Sequence, residues 1–133
     1  MKILIQAAKI LDPQSPFHKK VKNILLVNGR IAEIGDKNYQ ADKVISADGM
    51  LLTPGWFDLG TFVGDPGLEH KEDLESVTKT AAAGGFTEIA MLPNTVPAIQ
   101  TKNDVNYLTR NNDNRLVQVH ALASVTRDNK GEE

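Results

Sequence analysis

Residues 53–95 read TPGWFDLGTFVGDPGLEHKEDLESVTKTAAAGGFTEIAMLPNT, and this stretch decides the fold. Trp56, Phe57, Asp58 and Leu59 form a short, almost wholly apolar run, the pattern of a strand buried on both faces. Residues 60–68 hold three glycines and one proline and read as a loop. His70, Lys71, Glu72 and Asp73 open a helix, with acidic side chains in the first turn where the helix dipole favours them. Leu74, Val77, Thr78, Ala81 and Ala82 recur at helical spacing on one face. Gly84 and Gly85 end the helix, one of them in the left-handed cap position. Residues 86–92 form a second apolar strand, closed by Pro93, Asn94 and Thr95. The result is one βαβ unit, with its chemistry-bearing loops at the carboxyl ends of the strands.

Working outward, the pattern repeats. Residues 102–111 predict a second, more polar helix with Val105, Leu108 and Tyr107 turned inward. Residues 116–123 predict a third apolar strand containing His120, and residues 126–133 form a polar tail that stops where a further helix is expected. Strands alternating with helices at this spacing argue for a parallel α/β sheet or barrel. Towards the N-terminus the pattern is all β. Residues 2–8 are a short Ile-rich strand, broken by Asp12-Pro13 and Pro16. Residues 22–27 and 30–34 pair across Asn28-Gly29, the dipeptide a type I′ hairpin turn demands. Residues 43–46 and 50–52 are further strands, separated by the Asp48-Gly49 turn. The predicted domains are therefore a β module over 1–52 and the beginning of an α/β domain over 53–133.

The chain has 133 residues, 15 Lys and Arg against 17 Asp and Glu, and a net charge of −2. It has no basic stripe, so nothing suggests nucleic-acid or anionic-membrane partners. It has no cysteine, which removes disulfides, thiolate metal sites and a thiol nucleophile, and fits a cytoplasmic protein. The apolar run at Ile3-Leu4-Ile5 is too short for a signal peptide or a membrane span.

Several motifs carry a resemblance to the dihydroorotases of the amidohydrolase superfamily. They are Pro54-Gly55 followed by Asp58, then Asp65-Pro66-Gly67, His70 to Asp73, Ala82 to Thr87, and Met91-Leu92-Pro93-Asn94-Thr95. The opening module, with Gly29-Arg30-Ile31-Ala32-Glu33-Ile34-Gly35, is also similar to the usual start of this superfamily. The resemblance covers nearly the whole chain and about the first third of a usual family member. It implies an N-terminal β-sandwich module followed by the first βα units of a metal-dependent (β/α)₈ TIM barrel.

The same resemblance implies a zinc site at the end of the first barrel strand, built from an Asp-x-His-x-His motif, with a substrate-binding arginine two positions on. Here the corresponding positions are Asp58, Gly60, Phe62 and Gly64. Neither glycine nor a phenyl ring ligates a metal, so no metal ligand, catalytic residue or cofactor is expected in this chain. Asn94 alone survives as a substrate-binding candidate, and with the partner arginine missing the balance favours Pro-Asn-Thr as a turn alone. Asp58 reads as a strand-end hydrogen-bond acceptor and His70 as a solvated side chain. His120 reads as a satisfied buried imidazole. The function implied is a dihydroorotase-like protein of pyrimidine biosynthesis without catalysis, acting as a scaffold for aspartate transcarbamoylase. The alternative is an active dihydroorotase or other cyclic-amide amidohydrolase whose altered metal site is completed by downstream residues. The open edges of three barrel strands predict that the chain is not a stable monomer. It is expected to self-associate or to associate with the C-terminal part of the barrel.

Overall fold

The computed structural model describes residues 1–110 and 112–131. It divides into two compact units, Met1–Pro54 and Gly55–Glu133.

The first unit is one five-stranded mixed sheet. Its strands are β1 (Lys2–Ile10), β2 (Val21–Val27), β3 (Arg30–Gly35), β4 (Lys43–Ser46) and β5 (Leu51–Leu52). The order is β3-β2-β1-β4, with β5 also on β1. The β2–β3 hairpin turns at Asn28 and Gly29, whose φ values of 49° and 78° are the two positive values expected of a type I′ turn. Ala8, Ile10, Ile24 and Ala47 form the buried core, with Phe17, Leu26, Ile34 and Leu52 packed against them.

Strand β1 runs two residues past the end predicted from the sequence. A bulge allows this: the register with β2 shifts between Ile5 and Ala8. Ala7 sits there at φ 60°, and its N–H donates to the Asn23 side chain at 2.9 Å. Before the bulge β1 pairs with β4 through Ile3–Gln6, and after it with β5 through Lys9 and Ile10. An alanine in the left-handed region bears a steric cost that glycine avoids. Ala7→Gly should therefore raise stability by about 0.5 to 1 kcal/mol, read as a higher urea midpoint at unchanged slope.

The second unit contains β6 (Trp56–Thr61), α1 (Leu74–Ala83), β7 (Phe86–Met91), α2 (Lys102–Thr109) and β8 (Gln118–Ala121). The strands form a parallel sheet in the order β6-β7-β8, as the alternation of strands and helices predicts. The core lies on the helix side of the sheet. Val63, Ile89, Met91, Ile99, Leu108, Val117 and Val119 are almost completely buried there, beside Leu74 and Val77 of α1.

Several element boundaries differ from the sequence reading. Helix α1 begins at Leu74, not in the run 70–73. Asp73 is its N-cap and accepts from the Ser76 N–H at 2.7 Å. The preceding backbone is committed elsewhere: Lys71 N–H bonds Leu68 O, and Glu72 O accepts from Gly64 N–H. The helix ends as expected, with Gly85 at φ 85°. Helix α2 is closed at its start by a capping box between Thr101 and Asp104. Its expected last residue, Asn111, lies outside the described residues, as do Glu132 and Glu133 of the expected polar tail. Strand β6 continues to Thr61 instead of stopping at Leu59. Strand β8 is shorter than the expected 116–123, with Leu116 lying outside it and 82% exposed; within it the Asn112 side chain bonds both the N–H and the C=O of Val119.

The expectation that β6 is buried on both faces is corrected. Trp56, Phe57 and Leu59 are exposed. The strand has one hydrogen-bonded neighbour, and the helices cover only one face of the sheet.

Candidate functional site

The carboxyl ends of β6, β7 and β8 are where a parallel α/β sheet carries its chemistry. At the end of β6, Asp58 is half-buried. Its carboxylate accepts from the Gly60 N–H at 3.2 Å and from the Thr61 hydroxyl at 2.7 Å. Both oxygens are thus used in shaping the strand end. Gly60 faces open space, with nothing within 4 Å of a built Cβ, and Phe62 is partly exposed.

Beyond Phe62 the chain folds into a tight loop. Gly64 N–H donates to Glu72 O at 2.9 Å, and Gly64 O accepts from Leu68 N–H at 2.6 Å. A Cβ at Gly64 would overlap the Leu68 carbonyl oxygen and stand 2.8 Å from that of Glu72. Gly67, at φ 93°, lies against the Val96 carbonyl with no space for a side chain. The Val96 N–H in turn donates to Pro66 O at 3.1 Å, so the loops after β6 and β7 are tied together. The Gly67 N–H also donates to Glu69 at 2.7 Å, which holds that carboxyl below its ordinary pKa.

Asp65 is buried and accepts from the Tyr107 hydroxyl of α2 at 3.0 Å. Arg110 stacks on the Tyr107 ring, 4.9 Å from its centroid. The hydrogen bond to Asp65, and then burial, raise the Tyr107 pKa above its ordinary value near 10. The phenol is neutral in the stabilised state, so this contribution is complete below about pH 10 and is lost as pH rises through the folded-state value. Tyr107→Phe should remove that alkaline sensitivity as well as part of the stability at neutral pH. Thermal melts of both proteins between pH 8 and 11 provide the measurement.

Asn94 lies at the exposed rim of a pocket of about 380 Å³, shared with Thr95, Val96, Pro97, Ala98, Asp128 and Asn129. The loop after β8 reaches it by way of Gln100, whose side chain bonds Asp128 at its N–H (3.0 Å) and its carboxylate (3.4 Å). Asn129 donates to Pro93 O at 3.1 Å. Asp128 and Asn129 both have positive φ, 52° and 59°, which Asp and Asn tolerate better than most residues. The adjacent Asp-Asn pair is the signal in the sequence that marked this turn, and the sequence reading did not use it.

His120 is not buried, contrary to expectation. Alternation along β8 puts Val119 in the core and turns His120 to the helix-free face. There its Nε2 lies 2.7 Å from Glu88, and the Phe57 ring stands edge-on at 5.5 Å. His70 is exposed in the turn before α1. Asp58, Asn94 and His120 stand on three different strands or strand ends, and the structure gathers no ligand cluster from them. Among the described residues no group of three His, Cys, Asp or Glu is placed to hold a metal ion. The donor set at the end of β6, one carboxylate already hydrogen-bonded twice beside glycine and phenylalanine, does not fit a zinc ion. No helix among the described residues is long and apolar enough to cross a membrane.

A β module leading into parallel βα units with their loops gathered at one end defines the opening of an amidohydrolase-type barrel. The sequence profile described as Dihydro-orotase-like matches residues 49–133, and the chain belongs to that family. The chain is 38% identical over 135 residues to a dihydroorotase of Geobacter metallireducens, covering 99% of this chain and 32% of that protein. It is 39% identical over 136 residues to a dihydroorotase of Geotalea daltonii, again 99% of this chain and 32% of the relative. The chain thus spans about a third of the length of the curated relatives it matches. Among solved structures it is similar in fold to the L-hydantoinase (dihydropyrimidinase) of Arthrobacter aurescens. The TM-score is 0.75 and the identity 22%, over 91% of this chain and 27% of that one. A D-hydantoinase matches with a TM-score of 0.70 and 26% identity, over 96% of this chain and 29% of that one.

Proposed function

We propose that this chain is a non-catalytic dihydroorotase-like protein of pyrimidine biosynthesis that serves as a scaffold for aspartate transcarbamoylase. The observation that carries the reading is the end of β6, where Gly60, Phe62 and Gly64 replace the two imidazoles and the arginine of the resemblance. Ring opening or closure of a cyclic amide by this family depends on a metal that activates water and polarises the carbonyl. This chain offers one engaged carboxylate at that place, and its loop is closed around Gly64. Asn94 is the one substrate-contact candidate left by the resemblance, without the cationic partner that would hold a carboxylate. A cytoplasmic location accords with this role.

The test combines metal content, turnover and association. The purified protein should carry well under one equivalent of zinc. It should turn over neither dihydroorotate nor carbamoyl aspartate, with or without added zinc. It should co-elute with aspartate transcarbamoylase when the two are mixed. Turnover approaching ordinary enzyme rates, roughly 1 to 10³ per second, would instead establish the active reading, a dihydroorotase whose metal site is completed by residues outside these strands.

A further inference from the structure

We propose that Asn28 is a self-modifying position: its side chain cyclises onto the Gly29 nitrogen, and the isoaspartate that follows opens the β2–β3 hairpin. This lies outside the scaffold reading and does not depend on it.

Asn28 is the one asparagine of the chain that glycine follows. Asparagine is a thermolabile residue, and its loss by cyclisation needs the next backbone nitrogen to reach the side-chain carbonyl carbon. Glycine leaves that nitrogen unscreened, having no Cβ and wide freedom in φ and ψ. The structure supplies the remaining conditions. Asn28 and Gly29 are both exposed at the tip of the turn. A Cβ built on Gly29 meets nothing within 4 Å, and among the described residues the Gly29 N–H donates to no group. The nucleophile is therefore open to water and tied to nothing. The Asn28 Oδ1 accepts from the Met1 nitrogen at 3.0 Å, which draws electrons from the carbonyl carbon under attack.

The step needs only water and hydroxide. Hydroxide takes the Gly29 amide proton, and the nitrogen attacks Asn28 Cγ. The N–Cγ bond forms, the Cγ–Nδ2 bond breaks, and ammonia leaves with a proton from water. Water then opens the five-membered imide at either carbonyl. Opening at Cγ yields aspartate on the original main chain. Opening at the backbone carbonyl yields isoaspartate, whose main chain runs through Cβ and Cγ and is one methylene longer.

The two products differ in what they do to the sheet. Asp-Gly satisfies a type I′ turn as Asn-Gly does. Isoaspartate adds a main-chain atom to a loop of two residues, and Val27 and Arg30 pair directly across that loop. Strand β3 joins the sheet through β2 and sends Ile34 to the core of the first unit. A strained turn therefore reaches that core, because the register of β3 decides which face Ile34 occupies.

The test incubates the intact chain at mildly alkaline pH and follows it by peptide mass spectrometry with fragmentation that separates the two acids. Asn28 should gain the mass of an amide-to-acid exchange ahead of every other asparagine, with isoaspartate among the products. The isoaspartate form, separated by ion exchange, should show a lower urea midpoint and faster amide exchange along β3. Asn28→Asp should keep the parent midpoint, which separates the added charge from the added methylene. Asn28→Gly, which accepts the same positive φ, should show no mass gain at residue 28 and an intact hairpin. Conversion at another asparagine first, or no conversion at Asn28, overturns the proposal. So does an isoaspartate form as stable as the parent, or an Asn28→Asp variant as destabilised as the isoaspartate form.

Discussion

Gly67→Ala should lower the stability of the second unit by roughly 2 to 6 kcal/mol, the sum of a left-handed strain term and an overpacking term. The residue is held at φ 93°, and an added methyl would overlap the Val96 carbonyl oxygen, a backbone atom. Relief would need one of two loops to move, and these loops share the Val96 N–H bond to Pro66. Loss on this scale is a large share of the 5 to 15 kcal/mol that holds an ordinary domain together. Urea denaturation gives the size. Amide exchange gives the place, since the Val96 N–H should lose its protection before the β7 ladder does. A variant as stable as the parent, with Val96 still protected, would show that the two loops are not tied as described.

The parts legible in the sequence were those fixed by local chemistry. Asn28-Gly29 dictated a turn whose φ values only a few residue types accept, and the structure places both residues as that turn requires. The paired glycines after Ala83 ended α1, and the apolar runs gave β7 and β8 in a parallel sheet. The parts not legible depended on partners distant in the chain. Asp73 and the run before it look like one acidic helix start, and only the bonds from Gly64 and to Leu68 decide that His70, Lys71 and Glu72 stay outside it. The bulge at Ala7 depends on Asn23, sixteen residues away. The Asp65–Tyr107 bond spans 42 residues, so neither residue announces the other. His120 was misplaced for a simpler reason. An apolar run too short to show its period leaves the facing of each residue undecided, and the alternation put the imidazole on the uncovered side. At the candidate site, the residue types at 60, 62 and 64 were readable, but the tightness of the loop around Gly64 was not.

That tightness separates positions 60 and 64, and the difference can be measured. Gly64→Ala should cost roughly 2 to 4 kcal/mol, from overpacking against two carbonyl oxygens and weakening of the bonds to Glu72 and Leu68. Gly60→Ala should leave stability unchanged or raise it by up to about 1 kcal/mol, since a methyl there meets no atom and the chain gives up a flexible glycine. The same asymmetry should grow with side-chain size. Gly60→His should be tolerated, because its Cβ enters open space beside Asp58. Gly64→Arg should open the loop, because the obstruction lies at the Cβ itself and no rotamer of a longer side chain avoids it. The two glycines therefore play different parts. Gly60 is an open position that can accept a ligand side chain, while Gly64 is built into the loop and excludes the cationic clamp. Urea midpoints of the four variants decide this. Equal losses at 60 and 64 would mean that the loop yields around Gly64, and that the missing arginine reflects sequence alone and not the shape of the chain.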